Sequence, residues 1–561
     1  GLQTKFMGEE WFENVSLSIK KAHESGMSVW AYDENGWPSG FGNGMVNGLG
    51  IEFQQKYLRM EDGEKQTKNT ICNQNGKHFY YEINPFYVDV LNPKITKKFL
   101  EVIYQPYYDK YGTDFSGFFT DEPQVSRNGI PWSFTLPEEY RRAYNEDLLD
   151  NLHELFEEIG NYKKTRFQFW KLVTDMFSQN FFRQIFEWCE EHHLQLTGHC
   201  VQEEGLIGQI ASNGAVMPHY EYFHIPGMDW LGRKMGGQLT PLQVSSVAAQ
   251  LGKKQVLSET FAMCGHNIGF EELKGMLEWQ MVHGVTLLCQ HLEGYSLRGI
   301  RKRDYPPAMY YQQPWWKDYH IFNESMARVG MILTEGKEEY DTLLIHPEST
   351  AWIYFNPYNN SAIDKLYSEL MQIVQKMEQN HILFHLGDET IIQRHAKVEN
   401  GCLVIGQQRY KTVVLPPHEI LFENTKILLK EFQSEGGTVI NALEELPVNP
   451  IFDNPNIIHT KRSFDGYNVY FLVNNTPDEQ KTTISVGSKK IDIVSGEILP
   501  FNGEHTFGAW GSLMLVDDGM PQAVKLKKEH LTTLNLQGDW KIDKMTENTL
   551  TLDFCAYWFD G

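Results

Sequence analysis

The feature that most constrains this chain is a junction that recurs along it: a short apolar run, one or two acids, then a turn-forming residue. It is sharpest at Gly117-Phe118-Phe119-Thr120-Asp121-Glu122-Pro123, where the proline prevents a strand from continuing. Short apolar runs are how buried parallel strands read. The carboxyl ends of such strands carry the reactive groups of barrels and open α/β sheets. One junction alone also reads as a strand end capped by solvated acids, but this one has company. Met27–Tyr32 ends in Asp33-Glu34 and the loop Asn35-Gly36-Trp37-Pro38, and Leu194–Cys200 leads to Glu203 and Glu204. Lys254–Ser258 stops at Glu259, and Val285–Gln290 stops at His291 and Glu293.

Helical patterns separate these runs: 9–25, closed by Gly26; 92–110, opened by Asn92-Pro93; a long stretch over 137–192; and 270–282. Strands alternating with helices predict βα units and a parallel sheet. With strand candidates near 30, 88, 118, 196, 222, 257 and 287, the expected fold class is α/β. Residues 1–336 are predicted to form a (β/α)8 TIM-type barrel with a β insertion near 50–85. Residues 1–25 read as a loop and the helix that follows a missing first strand. After Tyr340 the texture changes to a small doubly wound α/β unit over 337–450. An antiparallel β module over 451–520 and the start of a truncated β-sandwich domain over 521–561 follow. The chain is expected to be a piece of a longer protein.

Composition narrows the function. The 73 acids against 50 Lys and Arg give a net charge of −23, spread along the chain rather than in a block. That argues against nucleic acid and anionic membrane surfaces as partners. No run of 18 apolar residues exists, so no membrane span is expected and the protein reads as soluble. The seven scattered cysteines lack any CxxC spacing, against a disulfide framework or a structural zinc site. Gly40-Phe41-Gly42-Asn43-Gly44 is not followed by Lys-Ser/Thr, so a phosphate cradle is not expected either.

Strand-end acids that face one mouth suit glycosidic bond cleavage. One carboxylic acid protonates the leaving oxygen, and a second carboxylate serves as base for water or as nucleophile. Glu122 and Glu259 are candidates for that pair, although other strand ends also carry acids. Asp33, Glu34, His199, Glu203, His291 and Glu293 can share hydrogen bonds with vicinal hydroxyls. Trp37, Tyr295, Trp315 and Trp316 can stack on the apolar face of a sugar ring or serve as packing. Two other classes compete. A metallohydrolase could draw on His199, His224, Glu203, Asp229 and His291, but no His-x-His occurs on an early strand. A noncatalytic carbohydrate-binding protein would use the aromatics without needing acids at successive strand tips.

Trp30-Ala31-Tyr32-Asp33-Glu34-Asn35-Gly36-Trp37-Pro38-Ser39-Gly40 resembles a signature of glycoside hydrolase family 106 and its relatives. So do Phe119–Pro123, Gly198-His199 with Glu203, Ile225-Pro226-Gly227-Met228-Asp229 and Ser258-Glu259-Thr260, in matching order over roughly residues 1–335. The resemblance implies an inverting α-L-rhamnosidase on a barrel flanked by β-domains. In it Glu122 would be the general acid, Glu259 the base activating water, Asp121 a ligand of substrate or metal, and Asp229 a substrate ligand. It also implies a calcium ion near the sugar hydroxyls, with its protein ligands unassigned, and an inactive amidotransferase-like middle unit containing Cys402. The stretch from Gln290 to Asp304, which includes Tyr295 and a dense basic run, departs from the pattern, so the sugar accepted can differ from rhamnose.

Overall fold

The computed structural model describes residues 3–127, 129–293, 303, 305–306, 309–524, 537–539, 541 and 543. Six parallel strands organise the first half: Trp30–Tyr32, Gly117–Asp121, Gln195–His199, Ile225–Trp230, Leu257–Thr260 and Leu287–Gln290. Each pairs with the next in chain order, with helices such as Pro93–Phe99, Gln184–Glu191, Leu239–Leu251 and Phe270–Val282 between them. Sequential parallel order is what repeated βα crossovers produce. The sheet curls into part of a barrel, so side chains from its second, third, fifth and sixth strands converge at its carboxyl edge.

Two strand assignments need correction, and among the described residues the sheet has six strands rather than the seven expected. Tyr87-Val88 does not join it. That pair ends the long Lys77–Val88 strand of an antiparallel sheet with Gln54–Asp62, Thr70–Gln74 and Ile130–Trp132. Asp89, just beyond, is buried against Lys56 of the Gln54–Asp62 strand at 3.3 Å, which keeps this apolar run on the insertion. A buried charge is tolerable only when paired in this way. The strand expected near 222 begins at Ile225, because Pro218 sits in the first turn of a short Met217–Tyr220 helix.

The long helical stretch is also divided. Leu136–Tyr144 ends at Asn145 in the left-handed region, and a 3-10 segment, Leu148–Leu155, precedes Tyr162–Phe177. A π-helical segment, Ser178–Arg183, then leads into Gln184–Glu191.

Beyond the first unit, a four-stranded parallel sheet runs in the order Phe384–Gly387, Thr342–Ile345, Thr412–Val414, Thr438–Ile440. Crossovers leave Thr342–Ile345 in both directions, the doubly wound pattern. A three-stranded antiparallel sheet not anticipated from sequence, Ala396–Glu399, Cys402–Ile405 and Gln408–Tyr410, is inserted into it. The outer strand Phe384–Gly387 lies against the Leu239–Leu251 helix of the first unit. Leu386 N–H donates to Ser246 Oγ at 2.8 Å, and its carbonyl accepts from Gln250 Nε2 at 2.8 Å. Trp352 Nε1 donates to the Gly214 carbonyl at 2.7 Å, tying the two units at a second point.

Ile457–Phe464, Tyr467–Asn474, Ser512–Asp517, Lys489–Ile491 and Ile498–Pro500 make a five-stranded antiparallel sheet, with Gln480–Thr483 and Glu504–Phe507 as a separate pair. The β-sandwich expected over 521–561 falls largely outside the described residues, as do Tyr295 and most of the basic run before Asp304. The six described cysteines are free, and no described helix is long and apolar enough to cross a membrane.

Candidate active site

Strand register places the acids. Asp121 lies beside His199 on the neighbouring strand, Asp229 lies beside Glu259, and Glu259 lies beside Cys289. These residues therefore share one level at the carboxyl edge of the sheet. Gly198 makes the level possible. Its φ is +145°, and a Cβ there would meet the Thr120 carbonyl oxygen at 1.9 Å, so only glycine lets the two strands approach as they do. Glu122, one residue past its strand, has φ +49°, in the left-handed region that a non-glycine residue adopts at a cost.

His199 is the centre. Its ring is almost wholly buried, and Nε2 lies 2.8 Å from Glu259 Oε2 and 3.7 Å from Asp121 Oδ1. Nδ1 faces Glu122 Oε1 at 3.9 Å and has no hydrogen-bond partner. His291 Nε2 approaches the other Glu259 oxygen at 3.6 Å. Asp121, Glu122, Glu259 and His291 keep 13–15% side-chain exposure, so they line a surface open to solvent. The two contacts across the imidazole hold the nearest Glu122 and Glu259 oxygens to no more than roughly 9 Å apart, a limit that admits both the wider spacing of inverting and the narrower spacing of retaining carboxylate pairs.

The environment separates the two glutamates. Burial pushes Glu122 up to about 7, more than offsetting the His199 charge and the indole hydrogen bond that lower it. Burial also raises Glu259. There the hydrogen bond from His199 and the charges of His199 and His291 outweigh it, and the carboxyl is held below its ordinary value. His199 itself is opposed by burial, yet its bond to Glu259 and the neighbouring Glu259, Asp121 and Asp229 charges lift it well above an ordinary histidine. At neutral pH the arrangement is a glutamic acid half-protonated near its midpoint, an imidazolium and a glutamate anion.

Support comes from Trp37, a stacking candidate from the sequence, and from three side chains that sequence reading left unassigned, Tyr32, Ser39 and Tyr104. Trp37 Nε1 donates to Glu122 Oε2 at 2.8 Å, and Tyr32 OH donates to Asp121 Oδ2 at 2.5 Å. Ser39 Oγ accepts the Asp121 N–H at 2.8 Å and donates to Asp33 Oδ1 at 2.5 Å. Tyr104 OH holds the other Asp33 oxygen at 2.7 Å. Only the adjacency of Tyr32 to Asp33 and the serine of the Pro38-Ser39 turn hinted at these roles.

Three predicted substrate ligands are corrected by this geometry. Asp33 is fully buried and spent on Ser39 and Tyr104. Glu34 is buried and accepts the backbone N–H groups of Asn35, Gly42 and Asn43, shaping its own loop. Glu203 is buried, taking Tyr220 OH at 2.5 Å and Asp229 N–H at 3.1 Å, so it orients Asp229 rather than a sugar.

Asp229 does face the group: its Oδ1 is buried without a partner. Burial and the surrounding acids push it up to about 8. Glu293 is exposed beyond its strand. His224 is occupied elsewhere, by Glu190 and the Leu196 N–H. Trp315 donates to the Ile268 carbonyl and packs on Phe270 and Tyr319, and Trp316 stacks on Tyr319, which are packing roles.

Two trios among the described residues bring possible metal ligands within 4.8 Å of one another: Asp121, His199 and Glu259, and Glu122, His199 and Asp229. Both are built around one imidazole that is already bound to a carboxylate. Calcium takes six to eight oxygens, so this donor set does not fit the ion the resemblance implies.

No protein-family model and no curated protein matches the chain. Solved structures share its fold. A rhamnosidase from Novosphingobium sp. PP1Y superposes with TM-score 0.60 at 15% identity, over 82% of this chain and 52% of its own. The GH42 β-galactosidase Gan42B from G. stearothermophilus, as a catalytic mutant, gives 0.57 at 10% identity over 90% of both chains. A β-galactosidase from Bacillus circulans sp. alkalophilus gives 0.58 at 9% identity over 91% of both. The chain thus spans about half the length of the rhamnosidase and nearly all of the β-galactosidases. At these identities the likeness is one of fold alone, a mixed α/β architecture with a curled parallel sheet.

Proposed function

We propose that this chain is the core of a glycoside hydrolase that cleaves terminal α-L-rhamnosides or related deoxy-sugar glycosides by single displacement. Glu122 protonates the glycosidic oxygen while Glu259 takes a proton from the attacking water. The observation that carries this reading is the split between the two glutamates across His199. One is held protonated up to about 7, and the other is ionised well below that. A general acid and a general base need that difference at one pH. Asp121 and Asp229 are left to receive sugar hydroxyls, with Trp37 at the rim. No step passes through a metal.

A second reading uses the same pair with Glu259 as nucleophile, giving retention. Retention is the other outcome open to such a carboxylate pair, and the superposition over 90% of both chains with a GH42 β-galactosidase suggests a β-galactoside as the substrate to try. Turnover of aryl α-L-rhamnosides and aryl β-D-galactosides, with proton NMR of the first-formed anomer, tests both. Rhamnoside cleavage with inversion supports the first, and galactoside cleavage with retention replaces it with the second. If neither these nor a panel of other aryl deoxy-sugar glycosides is cleaved, the hydrolase reading is overturned in favour of a noncatalytic carbohydrate-binding protein.

A further inference from the structure

We propose that Arg127 and Trp37 form a leaving-group subsite that recognises an anionic group, a carboxylate or a sulfate, on the part of the substrate released by Glu122. The inference rests on the glycosidase reading of Glu122 and adds the chemical class of the group beyond the scissile bond. Trp37 fixes the place. Its indole nitrogen is bonded to Glu122 Oε2 at 2.8 Å while the residue is 43% exposed, so it joins the acid to solvent-facing surface. The Arg127 guanidinium lies over that ring, 4.7 Å from its centroid. Such stacking orients a guanidinium without neutralising it.

The charge of Arg127 is unanswered. No carboxylate of the described residues lies within ion-pair distance of it. Arginines elsewhere are matched, the half-buried Arg59 with Glu82 at 2.7 Å and the exposed Arg141 with Asp147 at 2.6 Å and Arg183 with Glu187 at 2.7 Å. In a chain of net charge −23, an arginine that is uncompensated among the described residues, at the mouth of an acid-lined site, is a local attraction for an anion there. The side chain also stands on a fixed base. Val125 N–H donates to the Ser212 carbonyl at 2.8 Å. Gln55 Nε2 holds the Gln124 and Val125 carbonyls at 3.2 and 3.1 Å, and Ser126 Oγ donates to the Gly129 carbonyl at 2.8 Å. Arg127 is thus an exposed residue next to a buried segment, and its planar fork suits the paired oxygens of a carboxylate or sulfate.

Two measurements on the whole chain test this. The first is kcat/KM for aryl glycosides whose ring bears a carboxylate, a sulfate ester or a neutral methyl ester. Wild type should prefer an anionic ring over the ester about tenfold, and Arg127→Glu should abolish or reverse that preference. Carboxylate and sulfate arms that differ identify which anion the subsite takes. The second is binding of D-glucuronate, glucose 6-sulfate and D-glucose, followed by tryptophan fluorescence and independent of turnover. At least one anion should bind about tenfold tighter than glucose in wild type but not in Arg127→Glu. Cleavage without anion preference in either assay overturns the subsite and leaves the hydrolase reading standing. Anion binding lost in Arg127→Glu, without cleavage of any glycoside, keeps the anion site and overturns the hydrolase reading. Absence of both overturns both.

Discussion

His199 donates from Nε2 to the Glu259 carboxylate at 2.8 Å, and this bond, with the charges of His199 and His291, holds below its ordinary value a glutamate that burial alone would raise. The opposite ring nitrogen, without a partner, faces Glu122. A single imidazolium therefore acts on both members of the proposed acid–base pair.

His199→Asn removes that charge from both. Glu259 loses the His199 bond and charge, keeping only the smaller lowering effect of His291, so the acidic limb of the kcat/KM profile moves to higher pH. Glu122 loses a charge that lowers it, so the alkaline limb, set by about 7 in the wild type, also moves up. The expected cost at neutral pH is about 100-fold. A pH–rate profile checks it, and limbs that stay in place would remove His199 from this role.

Glu122→Gln should lower turnover of poor leaving groups by about 10²–10⁴-fold and of a dinitrophenyl glycoside far less, because a good leaving group needs no acid. Glu259→Gln should depress both by similar factors, since every leaving group needs the base or nucleophile. Steady-state kinetics on the two glycosides separates the roles. An unchanged rate in either variant rejects its assignment.

Stability should fall as pH rises from about 5 to about 8. The folded-state values of Glu122, at about 7, and of Glu203 and Asp229, at about 8, lie above the ordinary carboxylate range. Each therefore contributes stability that is full below its unfolded value and is lost as pH climbs through the folded one. His199, also raised, has the same sign, lost from its unfolded value of 6.5 upward. Glu259, depressed, acts only below 4.5 and in the opposite sense. Thermal melts across this range should show a declining Tm, with Asp229→Asn giving a shallower decline. A flat wild-type profile would contradict the buried, protonated acids.

Gly198→Ala should be among the most damaging single changes in the chain. It combines a backbone angle disfavoured for L-residues with a direct clash against the Thr120 carbonyl. A loss of about 3 kcal/mol or more is expected, read by denaturant unfolding. Gly26→Ala has a positive φ but open space, and should cost only about 1 kcal/mol.

The strand tips were legible because a parallel strand and its terminal acid are neighbours in sequence: Glu122, His199, Asp229 and Glu259 could be named from their junctions. What sequence could not rank was which acids face outward. Asp33 and Glu34 stand at the same kind of junction as Glu122, yet the turn after them folds back and supplies hydroxyl and N–H donors that draw them inside. Glu203 is captured by Tyr220, 17 positions away along the chain, through a contact that only the fold creates. Tyr87-Val88 misled for the related reason that an apolar pair reads alike in a parallel sheet and at the end of a hairpin. Its pairing was decided by Lys56 and Asp89, which have no signature in the local pattern.

The two bonds that Leu386 makes to Ser246 and Gln250 have a consequence for how this protein can be dissected. Phe384–Gly387 is the outermost strand of its sheet, and an uncovered strand of this kind is a template for pairing with another chain. The Leu239–Leu251 helix occupies it with side-chain partners, so the first unit acts as a guard against self-association of the second. A fragment beginning near residue 337 would leave those backbone groups open and should aggregate. The same sheet in the intact chain has that edge closed.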